Sequence, residues 1–600
     1  MDSREAAYRR RKARAKRKRR RKILGKLLSF LVVFLAIVGL VAYFGWKRYS
    51  PTKERADLTQ YFKITANDQL AVIFNNEVVE PCAISSEGTA YLQFDVIRDK
   101  LNDRFYWDSN ENLLLYTLPN DTVTVGVGSR EYTVSKEQQT ENYVILKTVG
   151  STAYVALDFV KKYSDFDFEV YDDPGRVSIV TEFDNIPTAT VSKDTAVRYQ
   201  GGVKSPVLTD IVKGDEVVIV ESEENWKKVR TKDGFIGYVK NNTLKAQEDK
   251  SIQRNFTQPE FTSISKGYTI NMVWHNVTNE VANANILQVL ANSKGLNTIA
   301  PTWFHVADTS GNLSSIASAD YVNYAHQANV EVWATIRDFD GGINSYDETY
   351  ELLSYTSRRT QLVNQLIAAS LQYGLDGINV DFEKVSQECG VHFIQFIREL
   401  SVKCRQNQIV LSVDNYVPKG FNLQYNRKEQ GIFADYVVIM GYDEHYAGSP
   451  EAGSVSSYNF VKEGIEETLK EVPANKVISG IPFYTRLWAQ TPKTADELAT
   501  DEGTDAAEYP DKVSSEAYGM QTAKSKVAQS GASEFWDDTA KQNYAEWYVD
   551  STLYRIWLED AQSISAKLEL MKEYGLAGTA AWASGLEDPA IWDVILQYVN

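Results

Sequence analysis

Asp376-Gly377-Ile378-Asn379-Val380-Asp381-Phe382-Glu383 alternates polar and apolar side chains over one short segment. Along a strand successive side chains point to opposite faces, so Asn379, Asp381 and Glu383 share one face while Val380 and Phe382 pack on the other. A solvated charge run would not be framed by Ile378, Val380 and Phe382; the framing is that of a buried parallel strand. Two carboxyl groups crowded at such a strand end raise one another's pKa, which a general acid working near neutral pH requires. Outward from this stretch, residues 265–600 alternate short apolar strands with helical patterns. The other strands are expected at Thr269–Trp274, Thr298–Ala300, Val330–Thr335, Ile409–Val413, Tyr436–Met440, Val477–Ile481 and Gly578–Trp582. Helices are expected between them, for example over Glu351–Tyr373, with Leu352, Leu362, Leu366 and Leu371 at helical spacing, and over His392–Gln406. Eight strands alternating with helices predict a (β/α)8 TIM barrel, whose chemistry sits at the carboxyl ends of the strands.

The barrel occupies the last part of a 600-residue chain, long enough for about four units. With 43% hydrophobic and 12% aromatic residues, global disorder is excluded. The net charge of −16 is segregated. Residues 1–26 carry 14 basic residues against Asp2 and Glu5, a local +12, which leaves −28 on residues 27–600. Leu27–Trp46 follows without a charge, and twenty helical residues span a hydrocarbon core of about 30 Å. Val41-Ala42-Tyr43-Phe44 offers no small-residue cleavage site, so an uncleaved transmembrane anchor is expected rather than a signal peptide. The positive-inside rule puts the basic tail in the cytoplasm and the remaining modules outside. Beside a membrane helix, the Arg/Lys run is assigned to anionic lipid and not to nucleic acid. Cys82, Cys389 and Cys404 make no disulfide framework, which fits a bacterial surface protein. The five histidines form no close metal-binding pair, and no metal is expected.

Between anchor and barrel, residues 57–185 contain a loose duplication at an offset of 63, with Tyr91–Asp95 set against Tyr154–Asp158. Each copy continues into a strand pair, Phe105–Asp108 with Leu113–Thr117 and Phe168–Asp172 with Val177–Thr181. This α+β module resembles the amino-terminal stalk domain of copper amine oxidases, and no active site is expected in it. Residues 187–246 are β-branched and broken by turns at Lys213-Gly214-Asp215 and Asp233-Gly234, a small barrel. Trp226–Val229 and Thr231–Val239 resemble a bacterial SH3-like domain, which implies either a site for cell-wall peptides or a spacer with Trp226 and Tyr238 in its core. Asn241–Phe261 is polar, and a linker is expected over 247–264.

The last domain, 265–600, resembles the glycoside hydrolases of family 18. Asp376, Gly377, Asp381 and Glu383 match the family's strand-four signature DGxDxDxE, with Asn379 in place of the middle aspartate. Met440-Gly441-Tyr442-Asp443 matches the sixth-strand MxYD, Trp582 the eighth-strand tryptophan, and an insertion at about 488–558 the family's extra α+β lobe. The similarity is to the branch of spore-cortex-lytic N-acetylglucosaminidases. It implies substrate-assisted hydrolysis, in which the sugar's 2-acetamido oxygen is the nucleophile and no cofactor is needed. Glu383 would be the acid and base, Asp381 would hold the acetamido N–H, Tyr442 would bond the acetamido oxygen, and Trp582 would floor the sugar. Asp443 and Met440 would be further substrate contacts, and Asp376 and Asn379 supports behind them. Asn379 removes a partner with which Asp381 could share a proton. The implied partner is an N-acetylated glycan, peptidoglycan from the outward topology, with chitin oligosaccharides or noncatalytic glycan binding as the alternatives.

Overall fold

The eight strands close into a parallel barrel in the computed structural model, which describes residues 3–254, 256–501 and 505–599. They are Ile270–His275 (β1), Thr298–Pro301 (β2), Glu331–Arg337 (β3), Gly377–Asp381 (β4), Val410–Tyr416 (β5), Tyr436–Met440 (β6), Val477–Pro482 (β7) and Gly578–Trp582 (β8). Each pairs in parallel with the next, and β8 returns to β1 with Ile270 beside Gly578. The strands are apolar because both faces are covered: Val380 and Val413 pack under the helices while Ile270, Met272, Trp333 and Val438 fill the interior. β5 runs three residues past its expected end. Asp414, Asn415 and Tyr416 lie beyond the expected strand, yet β6 supplies a ladder partner for each, Val438, Ile439 and Met440.

The helix expected over Glu351–Tyr373 is two helices, Tyr346–Leu353 and Thr356–Tyr373. The second starts where Asp108 accepts the Thr356 N–H at 2.7 Å and its hydroxyl at 2.6 Å, and it ends at Gly374 with φ +69°. The insertion after β7 is a five-stranded antiparallel sheet, from Tyr484–Pro492 to Thr552–Leu558, with the helix Met520–Ser530 against it. Where it rejoins the barrel, Glu559 and Lys567 form a buried ion pair at 2.7 Å, completed by Gln542 and Ser563.

The chain divides into two compact units, Met1–Asn102 with Lys147–Thr257, and Asp103–Leu146 with Gln258–Asn600. The expected 57–185 module is thereby split. Residues 105–140 of its first copy form a five-stranded meander belonging to the barrel unit. Its inner face carries polar groups that match the helices Thr356–Tyr373 and Gly390–Asn407: the Tyr106 hydroxyl meets His392 Nδ1 at 2.6 Å and accepts from Arg359 at 3.0 Å. Arg405 reaches the carbonyl of Pro119 at 2.9 Å.

In the other unit, the remainder of the duplication makes one seven-stranded sheet in which Tyr91 pairs with Ala156, joining the two copies. Residues 186–250 form a second seven-stranded sheet around Val197, Leu208, Val217, Val229 and Val239, with Phe62 and Ile73 in the same core. Trp226 and Tyr238 are half-buried and outside that core. Ser3–Tyr49 is one 47-residue helix without a buried residue, and its apolar part is long enough to cross a membrane.

Candidate active site

β4 presents Asn379, Asp381 and Glu383 on the barrel-interior side, because the strand alternates and its other face is taken by Ile378, Val380 and Phe382. Above them, at the carboxyl ends of the strands, opens a cavity of about 1090 Å³. Asp381, Glu383, Met440, Tyr442, Asp443 and Trp582 all line it. Arg337, His305, Tyr416, Lys419, Phe421 and Tyr446, none of them anticipated from the sequence, line it too.

Glu383 lies two residues beyond β4, where the ladder no longer holds the backbone. Asp338, fully buried just after β3, replaces the ladder: its carboxylate accepts the N–H groups of Glu383 at 2.8 Å and Lys384 at 2.9 Å, and the Thr349 hydroxyl at 3.0 Å. Burial pushes Asp338 up to about 6, against the pull of these hydrogen bonds. The Glu383 carboxyl accepts a hydrogen bond from the Tyr416 hydroxyl at 2.7 Å. Its pKa is raised, chiefly by burial and also by Asp443, while Tyr416, Lys384 and Arg337 oppose the rise. A raised pKa favours the protonated form that a general acid needs in the cavity.

Asp381 is 6% exposed and its Oδ1 has no hydrogen-bond partner among the described residues. Burial, then Asp414, then Glu383 hold its pKa well above the usual carboxylate range, and Arg337, its neighbour across the β3–β4 ladder, is the counter-charge. Asn379 is completely buried and spends its whole amide: Nδ2 donates to Ser412 Oγ at 3.0 Å and Asp414 Oδ1 at 2.7 Å, and Oδ1 accepts from Trp274 Nε1 at 3.0 Å and Thr335 Oγ1 at 3.1 Å. The tryptophan N–H only donates, which fixes the orientation of the amide.

Tyr442 stands two residues past β6, against Trp274 at 6.4 Å and Tyr484 at 6.3 Å between ring centroids. Trp582 closes the same apolar wall, 6.1 Å from Trp274. Asp443 takes φ +58°, a conformation its short polar side chain tolerates, and accepts the Tyr484 hydroxyl. Asp376 stands apart from this cluster. It is one residue ahead of β4 with the parity of the outward-facing side chains, and it accepts from His326 Nε2 at 2.8 Å and from the Val332 N–H at 2.8 Å, tying down the amino end of β3. A support behind the catalytic face was expected of it, and the structure puts it at the opposite end of the strand.

Asp414 and Tyr416 carried only a weak signal: Ser412-Val413-Asp414 begins the polar alternation of β4, but Asn415 breaks it; the register brings Ser412 beside Asn379. Among the described residues no cluster of three or more His, Cys, Asp or Glu side chains is arranged to hold a metal ion.

The glycosyl hydrolases family 18 matches residues 265–587, the bacterial SH3 domain residues 193–245, and the copper amine oxidase N-terminal domain residues 72–179. The chain is 26% identical over 312 residues to the "Uncharacterized glycosylase YvbX" of Bacillus subtilis, covering 50% of this chain and 84% of that protein. It is 30% identical over 257 residues to the "Cortical fragment-lytic enzyme" of the same organism, covering 42% of this chain and 56% of that one. The crystal structure of the Bacillus cereus spore cortex-lytic enzyme SleL is matched at 23% identity and a TM-score of 0.48, covering 58% of this chain and 79% of that structure.

Proposed function

Because the chain belongs to the glycosyl hydrolases of family 18, we propose that it cleaves β-1,4 bonds next to N-acetylglucosamine with retention, using the substrate's own acetamido group as nucleophile. Glu383 protonates the leaving oxygen and then activates water. Asp381 holds the acetamido N–H and balances the oxazolinium cation that forms when the acetamido oxygen attacks the anomeric carbon. Tyr442 bonds the acetamido oxygen, Trp582 lies under the ring, and Asp443 and Met440 complete the walls. The observation that carries this reading is that an Asp381 carboxyl whose Oδ1 has no hydrogen-bond partner among the described residues and a Glu383 carboxyl bonded by Tyr416 share one cavity with Tyr442 and Trp582.

The substrate proposed is peptidoglycan. The apolar helix within Ser3–Tyr49 anchors the chain in a membrane with the basic tail inside, which holds the barrel against the cell's own envelope. A relative that carries the name cortical fragment-lytic enzyme supports the same choice. Full-length protein in detergent, incubated with purified peptidoglycan, releases reducing N-acetylhexosamine ends on this reading, and Glu383→Gln abolishes the release. Hydrolysis of chitin oligomers with intact peptidoglycan would overturn the substrate and leave the mechanism standing.

A further inference from the structure

β4 and β5 are parallel neighbours with Asn379 beside Ser412 and Val380 beside Val413. Asp381 and Asp414 follow next on these two strands, and Asp414 is the charged group that acts most strongly on Asp381. Both side chains face the barrel interior, and both are buried, at 6% and 2% exposure. Asp414 Oδ1 takes the Asn379 amide at 2.7 Å. Asp414 Oδ2 and Asp381 Oδ1 are left, each buried and each without a partner among the described residues.

Two buried carboxyl groups that repel each other, each with an oxygen that no donor satisfies, are not a stable arrangement of two anions. A proton between them supplies one donor and removes one charge. From this geometry we infer that Asp414 is the proton-sharing partner of Asp381, in the role that an aspartate at position 379 would hold on β4 itself. The inference rests on the reading of Asp381 as the acetamido acceptor. In the resting site one proton bridges Asp381 Oδ1 and Asp414 Oδ2. When a glycan binds, the proton stays on Asp414, which donates to Asp381 Oδ1. Asp381 is then an anion that accepts the acetamido N–H and faces the developing cation. No proton is gained or lost by the pair, and none of the protons that Glu383 transfers passes through it.

Asn379 fits this assignment: a second carboxylate at 379 would add a third acid to the cluster, whereas the amide donates to Asp414 Oδ1 and leaves Oδ2 free. The titratable groups facing the pair are Glu383 past β4, Arg337 and Asp338 at the end of β3, Tyr416 on β5, Tyr425 after it, and Tyr442 past β6. Only Arg337 among them is a cation. Burial pushes Asp414 up to about 8, in keeping with a pair that retains a proton through neutral pH. Asp414 is thus a positioning residue that acts through Asp381.

The pair is read first without turnover, by infrared difference spectroscopy of the full-length protein in a Glu383→Gln background at pH 7. A protonated carboxyl stretch present there disappears on adding Asp414→Asn, because Asp381 then has a permanent N–H donor and ionises. An unchanged band overturns the inference, whether or not the protein hydrolyses peptidoglycan. Kinetics give the second reading. Asp414→Ala lowers kcat roughly tenfold or more with KM within about threefold, since the interaction lost matters chiefly in the transition state. Asp414→Asn keeps most of the activity, and Asn379→Asp added to Asp414→Ala recovers most of the loss by restoring a second carboxyl group. A kcat for Asp414→Ala equal to wild type, or a loss that neither Asn at 414 nor Asp at 379 repairs, would show a structural residue only.

Discussion

Tyr416→Phe removes a hydrogen bond made to Glu383, the proposed acid. The phenol donates to Glu383 at 2.7 Å, and the ring packs edge-on against Tyr425 at 6.3 Å, so removing the hydroxyl leaves the packing in place. Donation to a carboxylate favours its ionised form, and this bond lowers the Glu383 pKa against the larger upward effect of burial. Hydrogen bonds to charged groups contribute about 1.5–3 kcal/mol, and one pKa unit is about 1.4 kcal/mol. With water partly replacing the hydroxyl, the Glu383 pKa rises by about one unit. The active form carries the proton, so a higher pKa extends activity to higher pH: the alkaline limb of kcat/KM moves up by about one pH unit. One unit above the midpoint of the wild-type limb, the variant retains roughly fivefold more of its own maximum than wild type does. The assay is kcat/KM against pH with soluble peptidoglycan fragments, each enzyme normalised to its plateau. A limb that stays in place or moves down would refute Glu383 as the titrating acid or the bond as a brake on its pKa.

Three further outcomes follow from the geometry. Phe421 lines the cavity while 72% exposed, a platform for a sugar away from the cleaved bond; Phe421→Ala raises KM several-fold, roughly the 0.5–1.5 kcal/mol of an aromatic contact, for long glycans and leaves disaccharide substrates unaffected. Lys567→Met leaves Glu559 charged and buried at the seam between insertion and barrel, costing about 3–5 kcal/mol in the urea unfolding of the barrel unit, and Glu559→Leu in the same chain recovers much of it. Asp108→Ala removes the cap of the helix Thr356–Tyr373, costing about 1–2 kcal/mol, and speeds limited proteolysis within residues 103–146.

The barrel was legible because its strands are buried on both faces, and runs such as Tyr436–Met440 announce that without help from distant residues. The acid face of β4 was legible because its alternation is confined to eight residues. What escaped depended on partners far along the chain. The apolar run of β5 stops at Val413, and the register with β6 carries the strand on through Asp414 and Tyr416. The break in the expected Glu351–Tyr373 helix is set by Asp108, 248 positions earlier. The split of the duplicated module has the same origin. Its first strand pair resembles the second, yet only the first carries Tyr106, which finds Arg359 and His392 on the barrel helices. Asp376 was expected to support the catalytic face from behind, whereas its parity on the strand points it away from the cavity and its hydrogen bonds go instead to His326 and the amino end of β3.

The central claim is that the substrate's acetamido group is the nucleophile, held by Asp381 while Glu383 supplies the proton. The most direct measurement is mass spectrometry of the products that the full-length protein releases from peptidoglycan and from the same peptidoglycan after chemical removal of its N-acetyl groups. The account predicts fragments with new reducing N-acetylhexosamine ends from the first and none from the second. Equal cleavage of both would contradict it.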